Sequence, residues 1–236
     1  VQVLIVEVVL FDIDGTLISS SASEYDEKRR YVYAIRDVVG KKPFVIPSRF
    51  AGMVDPQICQ ILLKETGLSD EDVEFFLQKV IVRMGKLYKG LEKKLVPNRG
   101  VEDLLRLLAN APDHVVGVLT GNLLEIGTEK LSVAGIGSYF SEGFYSDGYF
   151  DRNRLTKDAV ETCVSKHKLA SHRNVIIVGD TPSDVAAANA ANATSVGVAS
   201  GVFSERQLSE AGAAWVFRDL KPSDELLAAL GVKQMD

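Results

Sequence analysis

Five short runs of β-branched and other apolar residues punctuate the chain, and each of the first three closes on a polar turn. Val8–Phe11 runs into Asp12-Ile13-Asp14-Gly15-Thr16, Val115–Leu119 into Thr120-Gly121-Asn122, and Val175–Val178 into Gly179-Asp180-Thr181-Pro182. Thr194–Val198 and Trp215–Phe217 follow at shorter spacing. The runs are continuous rather than alternating, the pattern of strands covered on both faces in a parallel sheet. Helical periodicity fills the gaps. Val101, Leu104, Leu105 and Leu108 share one helix face, as do Val160, Cys163 and Val164. The alanine-rich stretch from Asp184 to Asn192 follows Pro182, which suits a first helical position. Strands alternating with helices predict an α/β fold, a doubly wound parallel sheet with right-handed crossovers.

One interval breaks this rhythm. Roughly a hundred residues separate the first strand from the second, where a βαβ crossover needs only a few tens. The helix at Val101–Leu108 serves as that crossover, so residues from Ile18 to Val96 are surplus to the sheet. Their pattern is helical over Glu24–Val39, Pro56–Thr66 and Asp70–Lys94, with Ile58, Ile61 and Leu62 on one face and Pro43 and Pro47 as breakers. The expected organisation is an α/β core of residues 1–17 and 97–236, with an all-helical insertion at 18–96. Inserted there, the helices stand over the carboxyl ends of the strands, where α/β sheets place their ligands.

Composition narrows the function. With 46% apolar and 25% charged residues the chain is globular rather than disordered. A net charge of −5 gives no basic footprint for nucleic acid or an anionic membrane, and neither is expected as a partner. Cys59 and Cys163 lie far apart without a Cys/His cluster, against a disulfide framework or a zinc site and in favour of a reducing, cytoplasmic setting. The apolar opening Val1–Phe11 carries Gln2 and Glu7, is too short to span a bilayer, and reads as a strand.

The three turns carry the candidate chemistry, and in the predicted fold they meet at one sheet edge. Asp12 and Asp14 flank Ile13, so in an extended segment both carboxylates point the same way, an arrangement suited to a hard cation or to a nucleophile with a neighbouring acid. A solvated Asp-Gly turn is the structural alternative. A calcium loop is excluded because its spacing requires a third Asp or Asn before the glycine, and glycine already stands at position 15. Thr120 offers a hydroxyl followed by the amides of Gly121 and Asn122, an anion receptor in form, with a plain helix cap as the alternative. Asp180 and Asp184 place one carboxylate at a strand end and another in a first helical turn, where Thr181 and Asp184 also form a capping box. Three such clusters, each after a β-branched strand, favour a shared function over three coincidences. His114, His167 and His172 lie away from them, and no Ser-His-Asp or Cys-His set is present. Met53 and Met84 read as packing.

On Phe11-Asp12-Ile13-Asp14-Gly15-Thr16-Leu17, Leu119-Thr120-Gly121-Asn122 and Val178-Gly179-Asp180-Thr181-Pro182-Ser183-Asp184, the sequence resembles the haloacid dehalogenase superfamily of phosphohydrolases. Its layout is similar to the phosphoglycolate phosphatase-like members, which carry a helical cap after the first strand. The resemblance implies a Rossmann-like core and a Mg²⁺-dependent phosphatase for a small phosphorylated metabolite. It implies Asp12 as nucleophile and Asp14 as the acid that protonates the leaving alcohol and then helps activate water. Mg²⁺ is held by Asp12, Asp180 and the backbone carbonyl of Asp14, supported by Asp184. Thr120, Gly121 and Asn122 grip the phosphoryl oxygens.

The family's lysine ahead of the third acidic cluster, often in a Lys-Pro pair, is missing here. Arg152 is its expected replacement, as a catalytic and phosphate-binding cation just before a helix opening near Asn153, with Arg154 and Lys157 as alternatives. The turn Arg49–Pro56 resembles the cap loop that faces the site, and Arg49 is a candidate for a substrate carboxylate. The dehalogenases of the superfamily do not need an acid two residues after the nucleophile, so Asp14 favours phosphoryl chemistry. A phosphomutase of the β-phosphoglucomutase kind and a binding protein with a decayed site are the other readings.

Overall fold

The computed structural model describes residues 6–20, 24–41, 43, 50–89 and 94–232. Its larger sheet has six parallel strands: β1 (Glu7–Phe11), β4 (His114–Leu119), β5 (Glu142–Phe144), β6 (Val175–Gly179), β7 (Thr194–Val198) and β8 (Trp215–Phe217), in the order β5-β4-β1-β6-β7-β8. The chain winds outward from β1 to β4 and β5, then returns to β6 on the other flank, so β1 is the switch point. Its immediate neighbours are β4 and β6, registered Phe11 to Val118 and Phe11 to Val178. The three polar turns of the sequence therefore emerge side by side.

Both faces of the sheet are covered, which is why its strands are apolar throughout. Val9 and Phe11 pack with Leu104, Leu105 and Leu108 of α4 (Val101–Ala109) and Leu226 of α9 (Asp224–Ala229). Val8 and Leu10 face the other way, onto Leu155, Ala159 and Val160 of α6 (Arg152–His167) and Ala188 of α7 (Pro182–Ala190). Each sheet residue in β1 is fully buried from Val8 to Phe11, and two-sided cover is what a parallel strand requires.

The segment between β1 and α4 is helical, in α1 (Glu24–Val39), α2 (Asp55–Glu65) and α3 (Asp70–Lys89). The third helix is described to Lys89, and Lys94, its expected end, is not helical but leads into β3 (Leu95–Pro97). That strand pairs antiparallel with β2 (Ile18–Ser20), Ile18 opposite Pro97, making a two-stranded ribbon where the helical segment leaves and rejoins the core. Neither these nor β5 was legible as a strand, because each short stretch includes a polar residue, Gly or Pro and lacks the unbroken apolar run of Trp215–Phe217. Arg49 and Pro47 lie outside the described residues. Among the described residues, no helix is long and apolar enough to cross a membrane.

The helices have their own buried cluster, including Ile35, Ile58, Leu62, Leu63, Val80 and Met84, and it is completed by Leu123 and Ile126 at the start of α5 (Leu124–Val133). A buried ion pair sits at this junction. Arg30 Nη2 lies 3.1 Å from Asp55 Oδ1, and the two side chains are 6% and 4% exposed. Tyr31 donates its hydroxyl proton to the same oxygen. Asp55 also ties α2 to the loop after β4: its N–H donates to the Gly121 carbonyl at 2.7 Å, and its Oδ2 accepts the Leu123 N–H at 3.1 Å. Removing one member of a buried pair strands the other. Asp55→Ala is expected to lower unfolding free energy by about 3–5 kcal/mol in urea titrations. A loss below about 1 kcal/mol would show that apolar contacts alone seat the helices.

Candidate active site

Asp12 stands one residue beyond β1, yet its N–H still donates to the Val178 carbonyl at 2.9 Å, so the ladder with β6 fixes its backbone. The chain then reverses. Gly15 adopts φ +83°, and Leu17 and Ile18 both return their N–H groups to the Ile13 carbonyl. Asn98 Nδ2 holds the Gly15 and Thr16 carbonyls at 2.8 and 3.0 Å, and Ser200 Oγ donates to the Gly15 carbonyl at 2.7 Å. Position 15 needs glycine twice over. Its φ is left-handed, and a Cβ would stand 2.3 Å from Asp180 Oδ2.

Asp180 and Asp184 come to Asp12 from the end of β6 and the first turn of α7. One carboxylate oxygen from each of the three lies within 4.8 Å of the others. Thr16 Oγ1 donates to Asp180 Oδ1 at 3.1 Å. Asp184 is doubly employed. Its Oδ2 accepts the Thr181 N–H and hydroxyl at 3.1 and 2.7 Å, closing the capping box of α7, while its Oδ1 accepts from Arg152. Asp184 thus caps α7 while standing close to Asp12 and Asp180.

Arg152 is the first residue of α6, with Asp151 as N-cap, so the helix opens one residue earlier than the sequence suggested. Its Nη2 reaches Asp184 Oδ1 at 2.6 Å, the Leu119 carbonyl at 3.1 Å and Asp12 Oδ1 at 3.3 Å. Arg154 and Lys157 point elsewhere, pairing with Asp158 and Glu161 one turn along α6 with exposed side chains. The cation next to the three carboxylates is thus Arg152.

Burial, then the charge of Asp184, pushes the Asp12 carboxyl up to about 7 despite Arg152. Burial likewise raises Asp180 well above the ordinary range, with Asp184 and Asp12 adding to the effect. One guanidinium does not neutralise three crowded carboxylates. A set of hard oxygen donors under such mutual repulsion fits Mg²⁺ on chemical grounds. The Asp14 carboxylate is not part of this cluster.

Thr120, fully buried, is not the cap of α5. Leu123 precedes that helix, and Asp147 Oδ2 accepts the Leu124 N–H at 2.6 Å. Thr120 Oγ1 accepts the Asn122 side-chain amide at 2.9 Å and its backbone N–H at 3.3 Å, which leaves the hydroxyl proton to donate. Gly121 lies against the helical segment, where a Cβ would stand 2.4 Å from the Met53 carbonyl oxygen. Asn122 Nδ2 also holds Asp14 Oδ2 at 2.7 Å.

Lys130 was not found from sequence. It is fully buried on α5 and its ammonium contacts Asp14 Oδ1 and Oδ2 at 2.5 and 2.7 Å. Burial works to raise Asp14, but Lys130 and Asn122 outweigh it and hold the carboxyl below its ordinary range. The available signal was positional: Lys130 shares the buried face of α5 with Ile126, Gly127 and Leu131. Arg30, Tyr31 and Asp55 were missed for a different reason, since a buried polar group at a junction has no sequence period.

These groups line a cavity of about 360 Å³. Asp12, Asp14, Thr120, Lys130, Arg152 and Asp180 form its floor, while Arg30, Tyr31, Phe50, Met53 and Ile58 reach it from the helical segment. A larger, more open depression of about 660 Å³ beside β5 has one carboxylate, Glu142, already engaged by Lys166 and His167.

Comparison with known proteins agrees with this geometry. The chain is 24% identical over 210 residues to a phosphoglycolate phosphatase of Vibrio cholerae, covering 83% of this chain and 85% of that one. A β-phosphoglucomutase from Clostridium difficile superposes with a TM-score of 0.70 at 15% identity, over 96% of this chain and 97% of that one. A hydrolase from Pseudomonas syringae gives 0.65 at 22% identity, over 91% and 94%. At these identities the solved structures speak for the fold alone. The family profile described as haloacid dehalogenase-like hydrolase matches residues 9–198, a span holding every acidic residue of the cluster, and the chain belongs to that family.

Proposed function

We propose that this protein is a Mg²⁺-dependent phosphatase for small phosphorylated metabolites, working through an aspartyl-phosphate on Asp12. The observation that carries the reading is the buried Arg152 guanidinium set between Asp12 and Asp184 beside Asp180. The helical segment at 18–96 acts as a cap over the cavity, whose size suits a small substrate. Buried free thiols at Cys59 and Cys163, the latter raised by burial to about 12, accord with a cytoplasmic setting. A net charge of −5 accords with the absence of nucleic-acid and membrane partners.

In the first step an Asp12 carboxylate oxygen attacks phosphorus while the bond to the leaving oxygen breaks. The Asp14 carboxyl delivers its proton to that oxygen and becomes a carboxylate. In the second step Asp14 takes a proton from water, which attacks phosphorus and returns inorganic phosphate and free Asp12. Lys130 and Asn122 favour the carboxylate form needed for this second step, and the proton Asp14 delivers in the first step is the one it regains from water in the second. Arg152 lies against the nucleophile, and its buried Nε has no hydrogen-bond partner among the described residues, a donor that a phosphoryl oxygen would satisfy. Thr120, Gly121 and Asn122 line the same cavity. Mg²⁺ held by Asp12, Asp180 and the Asp14 carbonyl, supported by Asp184, would offset the repulsion between two anions and polarise the phosphoryl group.

Asp12→Asn is expected to abolish phosphate release from p-nitrophenyl phosphate while leaving the circular dichroism spectrum unchanged. Wild-type turnover would refute the nucleophile. Transfer of phosphate to a second sugar hydroxyl, instead of its release, would identify a mutase.

Arg152→Ala is expected to cost at least about 100-fold in kcat/KM, the scale of one preorganised donor at an oxyanion. Arg154→Ala and Lys157→Ala are expected to stay within about tenfold, and Arg152→Lys to recover part of the loss. Near-normal activity in Arg152→Ala would refute the assignment.

The raised carboxyls also predict a pH dependence. A carboxyl whose folded pKa lies above its unfolded value favours folding below the unfolded pKa and loses that contribution as pH rises through the folded one. For Asp12 that window runs from 3.8 to about 7. The gain in Tm from Mg²⁺ is therefore expected to be larger near about pH 8 than near about pH 5. In metal-free buffer, Asp12→Asn is expected to raise Tm near the upper value and much less near the lower. Equal gains at both would contradict the electrostatic origin.

A further inference from the structure

Among the described residues the ion pairs differ in how far each partner is buried, and one is unusual. Arg30 and Asp55 are both buried, with side chains 6% and 4% exposed, as a structural pair inside a protein should be. Arg206 and Glu210 are both exposed, at 85% and 60%, as a surface pair should be. Lys130 and Asp14 are mixed: the lysine side chain is 1% exposed and the aspartate 44%. A lysine is almost never fully buried without a specific engagement, because its ammonium gives up strong hydration and its long stem gives up rotamer freedom. Here that cost is borne from the core side to hold a carboxylate that opens onto the cavity.

The contact is geometrically restrictive. The Lys130 ammonium engages both oxygens of Asp14, at 2.5 and 2.7 Å, and Asn122 Nδ2 engages Oδ2 from the loop after β4 at 2.7 Å. An aspartate side chain has two torsions, and in an open cavity neither would be fixed. Two donors, one from α5 and one from the loop after β4, restrict both. The ring of Tyr88, itself buried on α3, lies 5.7 Å from the ammonium, so an aromatic group of the helical segment closes over the lysine.

Resting on the phosphatase reading above, we propose that Lys130 is a positioning residue, which acts through Asp14 by holding its carboxyl on the leaving-group side of the phosphoryl site. In the step it serves, the proton leaves the Asp14 carboxyl for the departing oxygen as the P–O bond breaks, and the carboxylate that results is received by Lys130 and Asn122. Lys130 itself gives up no proton. Its influence should therefore be largest where protonation of the leaving group limits the rate, with a smaller loss common to all substrates through the water-activating step.

A double-mutant cycle tests this with two substrates, p-nitrophenyl phosphate and ethyl phosphate, whose leaving groups need little and much protonation respectively. Lys130→Met is expected to lower kcat on ethyl phosphate by at least about 30-fold with KM little changed, and kcat on p-nitrophenyl phosphate by no more than about threefold. The second rate, measured on the same preparation, reports that the enzyme is folded. In an Asp14→Asn background, Lys130→Met is expected to change either rate by less than about twofold, because the residue it acts through is gone. Lys130→Gln, which keeps a donor, provides a second neutral variant should Lys130→Met fail to accumulate, and is expected to fall between Met and wild type. Equal losses on the two substrates in either variant, or losses that add fully to those of Asp14→Asn, would overturn the proposal while leaving the phosphatase intact. A fully active Asp14→Asn would overturn the proposal together with the acid role given to Asp14, and the phosphatase reading itself is tested separately by Asp12→Asn.

Discussion

The Arg152 guanidinium lies between Asp12 and Asp184, buried with them at the carboxyl edge of the sheet. Three carboxylates share that space with it, and Asp12 and Asp180 are both displaced upward in pKa, chiefly by burial. Such crowding is unfavourable in isolation and is maintained by the rest of the fold. The ladder to β6 fixes Asp12, the capping box of α7 fixes Asp184, and Thr16 orients Asp180 in space left by Gly15. Each element at the switch point supplies one constraint. Three crowded carboxylates of this kind could hold a metal ion.

The helical segment is joined to this edge by polar contacts as well as by packing. Asp55 receives Arg30 and Tyr31 from α1, donates its own N–H to the Gly121 carbonyl and accepts the Leu123 N–H. The same loop carries Thr120 and Asn122, and the helix that follows it carries Lys130. The contacts that seat the helices and those that hold Asp14 thus share one loop and the helix after it. Gly121 shows how close the approach is, since a Cβ there would stand 2.4 Å from the Met53 carbonyl oxygen.

Much of this was written in the sequence, for reasons that differ by element. The long strands were legible because both faces are buried, which turns their whole length apolar. The three helices between β1 and α4 were legible by period. Asp12, Asp14, Asp180 and Asp184 were legible because each follows such a strand by one or a few residues, where topology leaves little freedom. Arg152 was harder: three cations stood within six positions, and only the angle at which α6 leaves its cap sends Arg152 inward and leaves Arg154 and Lys157 exposed. Lys130, Arg30 and Tyr31 were not legible. Their roles depend on which surfaces meet across the junction, and a helix period records burial without naming the partner. The ribbon of β2 and β3 escaped because its short strands include serine or proline and lack an unbroken apolar run.

Whether Asp12 becomes phosphorylated is the most direct question. Borohydride reduces an acyl phosphate to the alcohol, so acid-quenched enzyme treated during turnover would carry homoserine in place of the modified aspartate, identifiable by peptide mass spectrometry. Homoserine at position 12 alone, dependent on both Mg²⁺ and a phosphomonoester, is the expected result. Turnover with no change at Asp12, or reduction at another residue, would contradict the role given to the acidic cluster.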